Sequence, residues 1–162
     1  MEFEDLTKLI FGEIKPKLED NQGLTIFAKE RAKFEGWLKA ELCESLSKHF
    51  SDVIVEKDGI DITFNDWAIE LKTVNTNYRF EKVKIKARPI TLNIKGISRD
   101  IEKLHRTTST NKAILFVVFP VIAGHKTWPT HLKKVSTSLK KLEAKEFRFK
   151  KGIPGIIYFG LV

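Results

Sequence analysis

Residues 59–72 have the sequence Gly-Ile-Asp-Ile-Thr-Phe-Asn-Asp-Trp-Ala-Ile-Glu-Leu-Lys, in which apolar and polar side chains alternate on either side of Asn65-Asp66. Alternation with a period of two predicts β-strands, and a polar Asn-Asp pair is typical of the turn between two antiparallel strands. A two-residue turn here places Ile62 opposite Ile69. This hairpin therefore predicts the register of the sheet around it.

The predicted hairpin has one apolar face and one polar face. The apolar face is expected to lie in the core and comprises Ile60, Ile62, Phe64, Trp67, Ile69 and Leu71. The polar face carries Asp61, Thr63, Ala68, Glu70 and Lys72. In this register Asp61 and Glu70 are directly opposed, with Cβ atoms about 5 Å apart. Lys72 follows on the same face, roughly 7 Å from Glu70.

Two directly opposed carboxylates repel each other and so disfavour the folded sheet. The presence of this pair therefore suggests a role other than stabilising the fold. A divalent cation provides one, because Asp61 and Glu70 can share Mg²⁺ or Mn²⁺ through their oxygens. Such an ion polarises a phosphoryl oxygen and lowers the pKa of a bound water. Lys72 can orient or deprotonate that water, or neutralise charge on the phosphate. The alternative is a solvated strand face on which these side chains form ion pairs.

The patterns in the rest of the chain predict an α/β protein with a single domain spanning 1–162. The first element is predicted to be a short helix ended by Pro16 and a polar turn at Asp20-Asn21-Gln22-Gly23. Hydrophobic periodicity then predicts, in order, a long helix over 25–50, a strand around 53–55, the hairpin, a helix over 98–107, a buried strand over 113–119, a helix over 129–145 and a last strand over 155–162. The segment 73–95 is predicted to be extended, or to form an edge strand.

The segments Gly-Ile-Asp-Ile (59–62) and Ile-Glu-Leu-Lys (69–72) resemble the PD-(D/E)xK motif of a nuclease superfamily. That superfamily includes restriction endonucleases, archaeal Holliday-junction resolvases and transposon-end nucleases. The resemblance covers residues 27–120. It implies the restriction-endonuclease-like αβββαβ core, a central mixed sheet flanked by helices. Ile60 stands where the motif has proline, a position that is not a metal ligand.

This resemblance implies a Mg²⁺-dependent endonuclease that hydrolyses DNA phosphodiester bonds. In the family, the residues corresponding to Asp61 and Glu70 hold the metal ion with the help of the carbonyl that follows the glutamate, here that of Leu71. The lysine, here Lys72, assists the attacking water.

Many members of the superfamily add a glutamate from the first helix, followed by apolar residues three and seven positions later. Glu35, Leu38 and Leu42 match this pattern. Glu35 is expected near the apolar stripe of its helix, where a carboxylate needs a partner. Glu41, on the flank of the same stripe, is the competing candidate.

Polar and basic side chains follow the motif. In folds of this kind the segment after the lysine leaves the catalytic strand near the substrate. Candidate contacts to sugar–phosphate oxygens are therefore Asn75, Tyr78 and Arg79, the alternative being a plain polar loop. A basic stripe that can track phosphates, or can serve as a solvated edge strand, comprises Lys82, Lys84, Lys86 and Arg88.

The chain has 29 Lys and Arg against 21 Asp and Glu, a net charge of +8, which favours a polyanionic partner such as DNA. No apolar stretch approaches the roughly 18 residues that cross a bilayer, so no membrane partner is expected. The lone Cys43 and an acidic N-terminus predict an intracellular, cytoplasmic protein.

At 162 residues the chain has little room for a separate target-recognition domain. Strict sequence specificity would therefore require a homodimer or a partner subunit. The competing functional hypothesis is a catalytically inactive DNA-binding or assembly module with the same fold.

Overall fold

A computed structural model of the chain describes residues 1–85 and 89–162. The helices are α1 (Phe3–Asp20), α2 (Gln22–Glu30), α3 (Glu35–Ser47), α4 (Ile90–His105) and α5 (Trp128–Ser136). The strands are β1 (Ile54–Lys57), β2 (Ile60–Phe64), β3 (Trp67–Asn75), β4 (Asn111–Phe119), β5 (Lys141–Arg148) and β6 (Pro154–Leu161).

The strands form a six-stranded sheet in the order β1-β2-β3-β4-β6-β5. β3 and β4 run parallel, while the other neighbouring strands are antiparallel. The prediction of an α/β fold with a mixed sheet flanked by helices is therefore confirmed. From α3 to β4 the elements follow one another as helix, three strands, helix and strand.

The hairpin has the predicted register, since Ile62 pairs with Ile69 and Phe64 pairs with Trp67. The predicted central strand is also confirmed. β4 lies between β3 and β6, and its residues 113–119 are all buried. A short apolar run of this kind suits a strand that is covered on both faces.

Helices cover both faces of the sheet, with α1 and α3 on one face and α4 on the other. Five members of the predicted apolar face pack beneath α1 and α3, namely Ile62, Phe64, Trp67, Ile69 and Leu71. The assignment of Ile60 to this face is wrong, because Ile60 packs with Ile101 and Leu104 of α4. Asp58 and Gly59 both have positive φ in the turn just before Ile60, so the alternation does not extend through the first residue of β2.

The single long helix predicted over 25–50 is wrong, because α2 ends at Glu30 and α3 begins at Glu35. Arg31 ends α2 in the left-handed conformation, with φ of 54° and ψ of 31°. Its guanidinium points inward and donates hydrogen bonds to backbone carbonyls of a distant segment. A straight helix would remove Arg31 from these acceptors, so tertiary contacts interrupt it.

The first helix does not end at Pro16 but continues to Asp20, where the predicted polar turn begins, so the prediction is wrong for Pro16 and agrees with the structure at Asp20. Proline removes one hydrogen bond to the residue four positions earlier, here the exposed Gly12. Ile14 and Leu18 are fully buried on either side of Pro16 and keep the helix on the core. Within residues 1–85 and 89–162, no helix is long and apolar enough to cross a membrane.

Two further helix boundaries differ from the predictions. α4 begins at Ile90 rather than at residue 98, since Ile90 and Ile94 continue its buried stripe. The helix predicted over 129–145 ends at Ser136, and 141–148 form the edge strand β5 instead. β5 pairs with β6 along its whole length, which an amphipathic pattern in one segment does not reveal.

The predicted extended basic segment is wrong where the structure describes it. Lys82 has φ of 64° in a turn closed by a hydrogen bond from Val83 to Phe80, and Lys84 lies outside any strand. Lys86 and Arg88 lie outside the described residues.

Candidate active site

The candidate site lies where β2 separates from β3. Strand pairing ends at Ile62 and Ile69, so the β3 backbone beyond this point has no neighbouring strand on that side. On that side, carboxylates instead of a strand accept hydrogen bonds from the β3 backbone. Asp61 Oδ2 accepts a hydrogen bond of 2.8 Å from the Leu71 amide, and Glu35 Oε1 accepts one of 3.0 Å from the Thr73 amide. Residues of two elements, β2 and α3, thus converge on one edge of β3.

The side chain of Asp61 does not lie where the sequence predicts it, on the polar face of the hairpin opposite Glu70. Its bond to a main-chain amide places the carboxylate beside the edge of β3, and Oδ1 lies 2.6 Å from Nζ of Lys39 on α3. Lys39 also pairs with Glu56, which has a positive φ. Although partial burial opposes the charged ammonium, these two carboxylates raise the pKa of Lys39.

Glu70 points towards α4 and is 3% exposed. Its Oε1 lies 2.7 Å from Nζ of Lys103, which reaches in from solvent. Burial raises the pKa of Glu70 to about 7, Lys103 counteracts part of this rise, and the charges of Asp61 and Asp100 add to it. The two predicted metal ligands therefore influence each other electrostatically, although they do not share one polar face as predicted.

Lys72 lies on the α4 side of β3, where its Nζ is 2.8 Å from Oδ2 of Asp100. Half-burial of the ammonium opposes its charge, but the ion pair with Asp100 outweighs this and raises the pKa of Lys72. The charges of Glu35 and Asp61 act in the same direction. Lys72 is therefore a protonated ammonium group held in an ion pair, and not a neutral amine.

The structure separates the two candidate helix glutamates. Glu35 is the first residue of α3 and is half-buried against β3. Glu41 instead lies 2.7 Å from Lys17 of α1, away from β3. Of the two, only Glu35 contacts the candidate site.

Sequence reasoning did not find Lys39, Asp100 and Lys103, which supply the opposing charges at this site. Asp100 and Lys103 lie beside the buried positions Ile101 and Leu104 of α4. A charged residue next to an apolar stripe suggests a partner, but the sequence does not say which one.

The residues present suit a divalent cation in some respects. Oε1 of Glu70 and Oδ2 of Asp100 are buried and accept no hydrogen bond from any residue that the structure describes, although each is ion-paired with a lysine. Carboxylate oxygens are the ligands that Mg²⁺ and Mn²⁺ prefer. The Leu71 carbonyl lies on the same edge of β3 as its amide, and so faces Asp61.

In this structure, the carboxylates of Asp61, Glu70 and Asp100 form ion pairs with lysines. Among the described residues, no three Asp, Glu, His or Cys side chains are grouped so that they can hold a metal ion. Lys39 and Lys103 must move from Asp61 and Glu70 before an ion can bind. Once these two lysines have moved, the carboxylate and carbonyl oxygens of the site are suitable ligands for a hard cation.

Comparisons with family models, curated proteins and solved structures found no match for this chain. The resemblance to the PD-(D/E)xK superfamily therefore rests on the motif residues and on the order of the elements.

The candidate nucleic-acid contacts occupy different environments. Asn75 is 4% exposed, and its side-chain amide donates to the Arg31 carbonyl, so it offers no surface to a ligand. The Tyr78 ring stacks on His125 with centroids 3.7 Å apart. Arg79 is exposed. Lys82 and Lys84 are also exposed, and Lys84 pairs with Glu30.

Arg31 organises the segment that follows β3. It is 1% exposed, and its guanidinium donates to the carbonyls of Thr76, Tyr78 and Lys84. Burial lowers the pKa of Arg31. Among the described residues, no carboxylate forms an ion pair with it. A buried cation is costly, and these three hydrogen bonds offset that cost while joining the end of α2 to the segment 76–84.

Proposed function

We propose that this protein is a metal-dependent endonuclease of the PD-(D/E)xK type that hydrolyses DNA phosphodiester bonds. One observation carries the proposal. Asp61 and Glu35 bind the edge of β3 where β2 separates from it, and the charges of both act on Lys72, which lies on the α4 side of that strand. The charge of Asp61 also acts on Glu70. The order α3-β1-β2-β3-α4-β4 agrees with the αβββαβ core that the motif implies.

Each side chain has a definite task in this proposal. Asp61 and Glu70 would hold the Mg²⁺ or Mn²⁺ ion together with the Leu71 carbonyl, and that ion would supply Lewis acidity at the phosphoryl oxygen. Lys72, kept protonated by its neighbours, orients the attacking water and neutralises charge on the phosphate. Glu35 holds the Thr73 amide and thereby fixes the strand that carries Lys72.

The substrate assignment follows from charge. The chain carries a net charge of +8, and Arg79, Lys82 and Lys84 are exposed on the segment that leaves the candidate site. Lysine and arginine contacts to phosphate give binding that is largely independent of sequence and weakens with salt. DNA is the polyanion that the motif favours.

Cleavage of supercoiled plasmid in Mg²⁺ or Mn²⁺ tests the function. The wild-type protein is expected to nick or linearise the plasmid, and EDTA is expected to stop it. Asp61→Asn keeps an oxygen that can accept from Leu71 while removing the charge, so its loss of cleavage points to metal binding. Lys72→Met should also abolish cleavage while retaining the aliphatic chain.

Asp66→Asn is the matched control, because Asp66 is an exposed acid in the turn of the same hairpin. We expect it to cleave like the wild type. Equal cleavage by wild type, Asp61→Asn and Lys72→Met would mean that the activity comes from elsewhere, and the nuclease proposal would be abandoned.

The second candidate is a DNA-binding or assembly module that performs no chemistry. The observation that favours it is that Lys39 and Lys103 already neutralise the two proposed metal ligands. In that case Asp61 and Glu35 act only as acceptors for the β3 edge. This module would bind duplex DNA with an affinity that falls as salt rises, and would leave it intact in every metal tested.

A further inference from the structure

Three residues of α4 face the candidate site on one side of the helix. Gly96, Asp100 and Lys103 are spaced four and three residues apart, and this spacing places them in one row. Asp100 contacts Lys72, and Lys103 contacts Glu70. The row therefore meets both motif residues of β3 that point towards this helix.

Gly96 makes room for the side chain of Lys72. A Cβ added at Gly96 would lie 3.2 Å from Cε of Lys72, which is closer than a normal carbon–carbon contact. An alanine at position 96 would therefore require the Lys72 chain to shift by a few tenths of an ångström. One turn later on the same helix, Asp100 receives its ammonium at 2.8 Å.

Both members of this ion pair are shielded from solvent, since the side chains of Lys72 and Asp100 are 22% and 14% exposed. Ion pairs on an open surface contribute little, because water and salt screen them. A shielded pair with a fixed geometry can instead hold a side chain in a single orientation.

We propose that Asp100 is a positioning residue for Lys72, and that Gly96 provides the groove through which Lys72 reaches it. The motif itself contains neither residue, so this extends the site to a second helix. The inference rests on the proposed function only in that Lys72 is taken to serve phosphodiester cleavage.

The contact is tested directly by NMR of the lysine ammonium groups in the metal-free protein. With ¹⁵N-labelled lysine at low temperature, an ammonium held in an ion pair exchanges its protons slowly and gives a resonance, which Lys72→Arg assigns by deleting it. Asp100→Asn is expected to shift or remove this resonance. Asp5→Asn is the control, because it removes an exposed carboxylate 3.8 Å from Lys8.

A pair of alanine variants tests the groove. Gly96→Ala should move the Lys72 resonance, whereas Gly12→Ala should not, because an added Cβ at Gly12 has nothing within 4 Å. Both glycines lie inside helices, so the gain in helix propensity is common to the two variants.

Cleavage kinetics then test positioning. Asp100→Asn is expected to lower kcat by about tenfold while KM for DNA changes by less than about threefold. Asp100→Glu should restore part of kcat. An unchanged Lys72 resonance in Asp100→Asn overturns the proposal, as does an unchanged kcat in an active enzyme. A wild-type protein that does not cleave refutes the nuclease function instead, and the resonance alone then decides whether Asp100 holds Lys72.

Discussion

Nζ of Lys103 lies 2.7 Å from Oε1 of Glu70, so a lysine that is 41% exposed covers a carboxylate that is 3% exposed. The stem of Lys103 reaches in from solvent, whereas Glu70 lies within the buried strand β3. A cation that enters the site competes with Lys103 for the same oxygen. In the proposed function, this competition would link metal binding to the surface of α4.

Lys103→Met is expected to strengthen Mn²⁺ binding. It keeps most of the apolar stem while removing the competing ammonium, so we expect the Kd to fall by up to about tenfold, equivalent to about 1.4 kcal/mol. Isothermal titration calorimetry measures this change. Lys141→Met, at an exposed lysine that pairs with Glu4, is the control and should leave the Kd unchanged. Unchanged or weaker Mn²⁺ binding in Lys103→Met would show that the lysine does not compete.

Glu70 is expected to make stability dependent on pH. Its pKa is raised by burial to about 7 from the ordinary 4.5. The folded state therefore holds a proton that the unfolded state releases, and this stabilisation is complete below pH 4.5 and is lost as the pH rises through about 7. Glu70→Gln lacks this titration.

The free energy of unfolding of both proteins, measured by urea denaturation in EDTA, tests this dependence. Between pH 4.5 and 8 the wild type should lose roughly 1–3 kcal/mol relative to Glu70→Gln, at about 1.4 kcal/mol per pKa unit. Parallel pH profiles for the two proteins would contradict a raised pKa.

Substitutions of Asp61 separate its structural role from its proposed metal role. Asp61→Ala leaves the Leu71 amide at the β3 edge without its acceptor, whereas Asp61→Asn can keep one. We expect Asp61→Ala to be less stable than Asp61→Asn by about 1–3 kcal/mol, while neither variant gains stability from Mn²⁺. Thermal unfolding with and without Mn²⁺ measures both effects. Stabilisation of Asp61→Asn by Mn²⁺ to the wild-type extent would exclude Asp61 as a ligand.

We expect Arg31 to contribute more to the free energy of unfolding than any exposed cation of the same region. Arg31→Met leaves the buried carbonyl of Thr76 and the partly buried carbonyls of Tyr78 and Lys84 without their donor, so we expect a loss of about 2–4 kcal/mol and faster amide exchange over 76–84. Arg79→Met, at an exposed arginine, should change stability by less than about 0.5 kcal/mol and weaken DNA binding instead. Hydrogen exchange and urea denaturation distinguish these results, and equal stability of the two variants would contradict the role of Arg31.

Local patterns predicted the hairpin and the central strand. The hairpin register at Ile62 and Ile69 follows from a two-residue turn, and the apolar run at 113–119 suits a strand buried on both faces. Helix ends were harder to predict, because distant groups decide them. Arg31 ends α2 in order to reach carbonyls 45 or more residues away, and β5 exists because β6 offers it an edge.

The sequence by itself determined which charged residues stand at alternate positions of β2 and β3, because side chains of a strand alternate with a fixed period of two. It also determined the excess of positive charge. Only the tertiary structure decided the partners of those residues: Lys39 for Asp61, Lys103 for Glu70 and Asp100 for Lys72. The physical reason is that a charge shielded from water pairs with the opposite charge that lies within reach, and the packing of α3 and α4 decides which charge that is. This packing depends on contacts between residues that are far apart in the chain.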